Sequence, residues 1–288
     1  MSERKLPRAF ALPAIALAMA LVPPAAHAQD WRTLSQSRQV AGERELRTDI
    51  EYAAGTLRIS SAPEGTLYRV NLRYDADVLE PNVGYAGNRL RVGMDGASLK
   101  HRGDMKSGQL DVELGTGVPL DLNVQFGAAE ADLQLGGLRI RKASISTGAS
   151  TGSLTIAQPN AEVCRELKIE VGAARFEATQ LGNLNAERIE VRGGVGEVVL
   201  DFGGDWRRDL TGTVTIGLGT LTLKLPTGLG VRIRKGGLLA PFDGQGLVKR
   251  GDLYFSEDWD TAQYKLSLDV DAALGSVRVV WVDSQEGR

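Results

Sequence analysis

Cysteine and histidine are almost missing from this 288-residue chain, which has one cysteine, Cys164, and two histidines, His27 and His101. That excludes a disulfide framework, a Cys/His zinc site and any mechanism that needs several histidines. Aromatic residues make up only 6% of the chain. Neither sign of charge dominates: 34 basic side chains stand against 36 acidic ones, a formal net charge of -2, and nothing electrostatic argues for nucleic acid. After residue 28 no apolar run is long enough to cross a bilayer. What the chain has in excess is glycine, at 35 residues or about 12% against a usual level near 7%, so tight turns and close backbone approaches must be frequent.

Residues 1–28 have the layout of a bacterial secretory signal. Arg4, Lys5 and Arg8 form a basic start, Ala9 to Leu21 an apolar stretch, and Ala26-His27-Ala28 a small-x-small cleavage site. Cleavage after Ala28 removes three basic residues and one acidic one, which leaves residues 29–288 with a net charge of -4. The expected product is an exported protein of the periplasm or the outside, with no lipid-anchoring cysteine at its new end. Export would leave His101 as the only histidine and Cys164 as the only thiol; a lone cysteine in an oxidising compartment is most safely a small buried core residue.

The middle of the chain repeats one phrase: an alternating strand, a small-residue corner, then a second alternating strand. Leu122-Asn123-Val124-Gln125-Phe126 leads through Gly127-Ala128-Ala129 into Ala131-Asp132-Leu133-Gln134-Leu135. The corner glycines recur as Gly127, Gly148, Gly172, Gly194 and Gly217, at spacings of 21, 24, 22 and 23. Period-two alternation puts Leu, Ile and Val on one face and polar residues on the other. One unit cannot enclose its own apolar face, but units stacked at about 4.8 Å build a continuous core. The spacing therefore predicts an all-β, single-domain parallel β-solenoid (a β-helix) with coils of about 22 residues, capped at both ends. Its corner glycines sit where positive φ or close stacking excludes a Cβ. A lead-in or cap is expected over 29–46, coils over 47–235, and a loop with cap strands over 236–288. A meandering antiparallel sheet is the alternative, because alternation does not report strand direction. The segment from Ser37 to Leu46 is the best helical candidate, and Gly42 interrupts it.

The residues resemble the bacterial exported toast-rack and "putative adhesin" β-helix proteins, related to the LiaF-like cell-wall-antibiotic-response domain. The resemblance rests on Ala53-Ala54-Gly55-Thr56-Leu57-Arg58-Ile59, Leu67 to Asp75, the Gly-x-small corners, Lys224-Leu225-Pro226-Thr227-Gly228-Leu229-Gly230-Val231, Gly251 to Ser256, and Gly275-Ser276-Val277-Arg278-Val279. It implies an all-β protein of the cell envelope. The response-domain relatives work behind membrane helices that this sequence lacks, so a sensory role carries over poorly.

Catalytic readings are thin. His101 lies near Asp104 in a charge-rich turn, and no serine or cysteine nucleophile accompanies it. Asp201, Asp205 and Asp209 cluster around Trp206 without calcium-loop spacing, which leaves a glycan-acting enzyme on the same fold as the alternative function. Arg102-Gly103-Asp104 and Arg250-Gly251-Asp252 repeat a tripeptide of natural turn formers. No cofactor is expected. The strongest oddity is Leu138-Arg139-Ile140-Arg141-Lys142, echoed by Val231-Arg232-Ile233-Arg234-Lys235. Alternation sends both arginines of each run outward, and parallel stacking would align equivalent positions into a basic stripe. The plain reading is a solvated face that resists aggregation; the functional one is a surface for an anionic envelope glycan or another envelope protein, formed by Arg139, Arg141, Lys142, Arg232, Arg234 and Lys235. The sequence thus predicts a noncatalytic envelope scaffold.

Overall fold

The computed structural model describes residues 30–77, 79–95, 108–237 and 240–283. They form an all-β structure in which 17 strands join one mixed sheet. The N-terminal part holds β1 (Trp31–Gln39), β2 (Leu46–Ser61), β3 (Thr66–Asp75), β4 (Glu80–Ala86), β5 (Arg89–Asp95) and β6 (Gly108–Leu114). The middle holds β7 (Pro119–Gln134), β8 (Arg139–Thr147), β9 (Thr151–Thr155), β10 (Glu166–Thr179), β11 (Arg188–Asp201) and β12 (Leu210–Pro226). After it come β13 (Gly230–Gly236), β14 (Phe242–Asp243), β15 (Leu247–Arg250), β16 (Leu253–Ser256) and β17 (Lys265–Val282), with single 3-10 turns at η1 (Leu181–Leu184) and η2 (Glu257–Asp260). Residues 37–46 form no helix: β1 runs to Gln39, and Gly42 turns the chain at φ 92°.

The long strands stack in parallel in the order β2, β7, β8 with β9, β10, β11, β12, β17 and β13. From β7 to β12 the registers repeat the glycine spacings. Leu122 pairs with Ala143, Lys142 with Glu166, Leu167 with Ile189 and Arg188 with Thr211. Buried apolar positions therefore line up row on row. Val124, Ile145, Ile169, Val191, Val214 and Val270 form one such row, each at most 1% exposed. Burying each aliphatic side chain is worth roughly 2 kcal/mol against leaving it in water.

A purely parallel sheet of even coils is not what forms at the two ends. Leu120 sits beside Leu46 and Leu266 beside Leu210, so adjoining strands there are 74 and 56 residues apart in sequence. The intervening chain folds into antiparallel pairs: β3 with β1 and β6, β4 with β5, and β16 with β13 and β15. Alternation looks the same in both kinds of pairing, which is why the sequence pattern did not separate them.

The corner glycines are needed for close approach, not for positive φ. None of Gly127, Gly148, Gly172, Gly194 and Gly217 lies in the left-handed region. A Cβ on Gly172 would instead stand 2.8 Å from the carbonyl oxygen of Gly148 in the neighbouring row. Positive φ appears two residues later, at Gly55 in the first row and at Gly196, Gly219 and Gly275 in the final ones: Gly219 has φ 148°, and a Cβ there would lie 1.8 Å from the Gly196 oxygen.

Buried asparagines pin the turns between rows, and the sequence pattern gave them no role. Asn160 Oδ1 accepts from Ile140 N–H at 2.9 Å, and its Nδ2 donates to the oxygens of Ile140 and Leu184 at 2.7 and 3.0 Å. Asn183 Nδ2 donates to the Ile156 oxygen at 2.8 Å. Each supplies partners to backbone groups that the sheet leaves open, where an unmade bond would be costly.

Candidate functional site

The two basic runs occupy β8 and β13. Four strands, β10, β11, β12 and β17, lie between them in the stack, five steps or roughly 24 Å at the strand spacing. They do not meet in one stripe, and their surroundings differ.

On β8 every cation has a carboxylate. Arg139 pairs with Glu162 and also donates to the Gly117 oxygen at 3.2 Å. Arg141 reaches Glu45 at 2.9 Å and Asp121 at 3.2 Å, and Lys142 reaches Glu166 at 2.8 Å. The acids come from the rows on either side, since Asp121 and Glu166 both stand in register with Lys142. The hydrogen bond from Arg141 holds the Glu45 carboxyl below its ordinary pKa, and in turn Glu45 raises that of Arg141. The bond from Lys142 lowers Glu166 in the same way. This face is neutralised in place.

On β13 the neighbours are a parallel strand on one side and a hairpin on the other. Arg232 pairs in register with Phe255 of β16, and its guanidinium lies 5.6 Å from the centre of the Trp259 ring on η2. Lys265, at the start of β17, brings its ammonium to 5.5 Å from the same ring. The edge of the aromatic group is extended by Phe255, 5.4 Å from Trp259. Lys249 lies over Tyr254 at 5.7 Å and Arg250 over Phe255 at 5.3 Å. Among the described residues Arg232, Lys249 and Lys265 form no ion pair. Arg234 is 3.7 Å from Asp269 with both side chains mostly exposed, Arg250 is 3.5 Å from Asp260, and Lys235 donates to the Gly237 oxygen at 2.7 Å. Glu257, Asp258 and Asp260 of η2 offset part of this positive charge. The sequence reading missed Trp259; the available signal was a rare tryptophan in an acidic tetrad, Glu257-Asp258-Trp259-Asp260, that follows a basic strand pair.

The corner segments form an open trough of about 770 Å³ that crosses the rows. Its floor is the backbone of Gly127, Gly148, Gly172 and Gly194, and Gln125, Ser146, Glu170 and Arg192 edge it. The hydrogen bond from Lys168 lowers the Glu170 pKa.

The remaining candidates disperse. Cys164 is fully buried, and burial pushes its thiol up to about 12, which suits a core residue. Asp201 accepts from Gly203 N–H at 2.7 Å, Asp209 accepts from Lys265 N–H at 2.9 Å, and Asp205 donates its own N–H to Asn183 at 2.6 Å. Among the described residues no three His, Cys, Asp or Glu side chains converge where a metal ion would sit. In Arg250-Gly251-Asp252 the first residue ends β15 and the other two make the two-residue turn to β16, with Gly251 at φ 64°, as such hairpins require. His101, Asp104 and the first Arg-Gly-Asp lie outside the described residues, as does the expected signal segment. No described helix is long and apolar enough to cross a membrane.

Residues 28–163 and 158–224 match the family model described as the N-terminal domain of toast_rack, DUF2154. No curated protein matches the chain. Among solved structures, a "putative cell adhesion protein" from Clostridium sporogenes is 14% identical, with 87% of this chain and 100% of that one covered at a TM-score of 0.43. A "putative adhesin" from Bacteroides fragilis is 13% identical, with 86% and 97% covered and a TM-score of 0.43. A "putative lipid binding protein" from Parabacteroides distasonis is 10% identical, with 88% and 97% covered and a TM-score of 0.30.

Proposed function

Because this chain belongs to the toast-rack family, we propose that it is an exported, noncatalytic binding scaffold of the cell envelope, a solenoid whose coils of about 22 residues run from β7 to β12. The register offsets in that stretch support the coil reading. A scaffold of stacked rows presents side chains at fixed spacing, with little ordering cost when a ligand binds. The proposed ligand class is an anionic envelope glycan, and the contact surface is the β13 end.

One observation carries the choice of end: Arg232 and Lys265 share the Trp259 ring and have no described carboxylate partner, whereas the same phrase on β8 is fully paired. Cations stacked on aromatic rings keep their outward hydrogen-bonding edges free for sulfate or carboxylate oxygens. The net charge of -4 after signal removal works against attraction at long range, and exposed charges are screened beyond about 8 Å at physiological salt.

A heparin column at low salt, with heparin as the anionic glycan probe, tests the reading. The protein carrying Arg232→Ser, Arg234→Ser and Lys235→Ser should run through, while the protein carrying Arg139→Ser, Arg141→Ser and Lys142→Ser should be retained like the native chain. Equal retention of the two variants, or no retention of the native chain, overturns it.

A further inference from the structure

At each corner the in-out alternation slips by one, so that two successive residues face solvent; Gly172 and Ala173 do so between buried Val171 and Ala174. The second of these residues falls on a line that runs along the stack. From β7 onward, after Ala54 of β2, it reads Ala128, Ala149, Ala173, Val195, Leu218 and Leu274, with Ala173 paired to Val195, Val195 to Leu218 and Leu218 to Leu274. The first three are small. The last three are large aliphatics that stand 52%, 48% and 50% exposed; among the described residues the other exposed large aliphatics, Val40, Val163, Val248 and Val280, lie off this line. A shallow hollow of about 700 Å³ lies over Ala128, Ala149 and Ala173. One half of the line is thus a ridge and the other half a depression, with the same step of about 4.8 Å.

We infer that the partner seated on this line is a second copy of the chain, related by a two-fold axis that crosses the line between β10 and β11. That operation lays Leu218 of one copy over Ala149 of the other, Leu274 over Ala128 and Val195 over Ala173, and the reciprocal contacts follow from the symmetry, as an isologous interface requires. The charges on both flanks agree with it. On one side Glu170 of β10 would face the partner's Arg192 of β11, and on the other Arg175 would face the partner's Glu197. Within one copy these residues already pair, Arg192 with Glu170 at 3.7 Å and Arg175 with Glu197 at 2.6 Å. The two-fold closes each pair into a square of alternating sign. Farther out on those flanks Ser146 would meet Thr215, Gln125 would meet Asp271, and Glu130 would meet Ser276, with no like charges opposed. A two-fold axis along the line would instead set Leu218 on Leu218 and leave the alanine hollow empty.

This surface is separate from the β13 end, so its test does not depend on the glycan reading. The native protein should sediment as a dimer at high micromolar concentration. Leu218→Glu with Leu274→Glu should raise the dissociation constant at least about tenfold, and Ala149→Leu, which fills the hollow at an exposed position, should do the same. Glu170→Arg should weaken the dimer by opposing Arg192, and adding Arg192→Glu should restore it. Ala149→Cys protein mixed with Leu218→Cys protein should form a disulfide-linked pair, while neither variant alone does. All variants should keep the native β-rich circular dichroism. A native protein that sediments only as a monomer, or a dimer unmoved by the leucine and alanine variants, overturns the inference.

Discussion

Leu138-Arg139-Ile140-Arg141-Lys142 and Val231-Arg232-Ile233-Arg234-Lys235 are nearly the same words, and both lie in strands with the central isoleucine fully buried. Their outward faces nonetheless differ. β8 has a parallel row on each side, and those rows supply Asp121 and Glu166, while Glu45 and Glu162 close in from the turns. β13 has a parallel row on one side only, and an aromatic hairpin takes the place of the other. In a stacked sheet the charge of a strand face is therefore set by residues one row away, which are about 22 positions distant in the regular stretch and much farther at the ends. The same contrast holds below the surface. Asn160 pins Ile140 in β8 with two hydrogen bonds and reaches the Leu184 oxygen with a third, whereas Ser256 pins the start of β13, accepting from Val231 N–H at 2.8 Å and donating to the Leu229 oxygen at 3.1 Å.

The largest effect should come from breaking the rows that link the two runs. Gly219→Val forces a Cβ against the Gly196 backbone oxygen at an unfavourable φ, and should cost about 3 kcal/mol or more. Gly172→Val meets a looser contact at ordinary φ and should cost less, about 1–3 kcal/mol. Urea titrations of both variants check the order; equal midpoints would remove the distinction between the two kinds of corner. Next in size are the pins. Asn160→Ala leaves three buried backbone groups without their partner and should cost about 2–4 kcal/mol, and Ser256→Ala leaves two and should cost about 1–2 kcal/mol. The smallest effect concerns protonation. The depressed pKa values of Glu45 and Glu166 mean that each stabilises the fold above its unfolded value, near 4.5, and loses that contribution as pH falls through the lower folded value. Acid titration of stability should thus steepen below about pH 4.5, and Arg141→Ser should flatten the curve in part by removing the largest influence on Glu45, whose pair with Arg47 at 2.9 Å remains. Arg234→Ser should change stability by at most about 1 kcal/mol, because its pair with Asp269 is exposed.

Much of the architecture was legible as sequence because period-two alternation and glycine spacing are local signals. The five corner glycines fall on adjacent rows at the offsets their spacing requires. Val124 and Ile145 were readable as inward positions from their own neighbours, and the burial of Cys164 was expected of a lone thiol in an oxidising compartment. The site was much less legible. Nothing within a few positions of Arg232 names Trp259 as its neighbour, and nothing near Arg141 names Glu45, because several strands intervene in the chain between the members of each pair. The roles of Asn160 and Ser256 were hidden for the same reason, since a buried polar residue is identified by the backbone groups it meets.

What the sequence determined by itself was the strand period, the inward face and the places where a side chain cannot fit, all fixed by sterics and burial along a few successive residues. Only the tertiary structure decided which strands run antiparallel, which of two identical basic phrases is neutralised, and that Val195, Leu218 and Leu274 stand in one line. The physical reason is that pairing direction and row-to-row neighbours depend on how far the chain travels before it returns. That distance is 21 to 24 residues in the middle and 56 or 74 at the ends, and alternation carries no record of it.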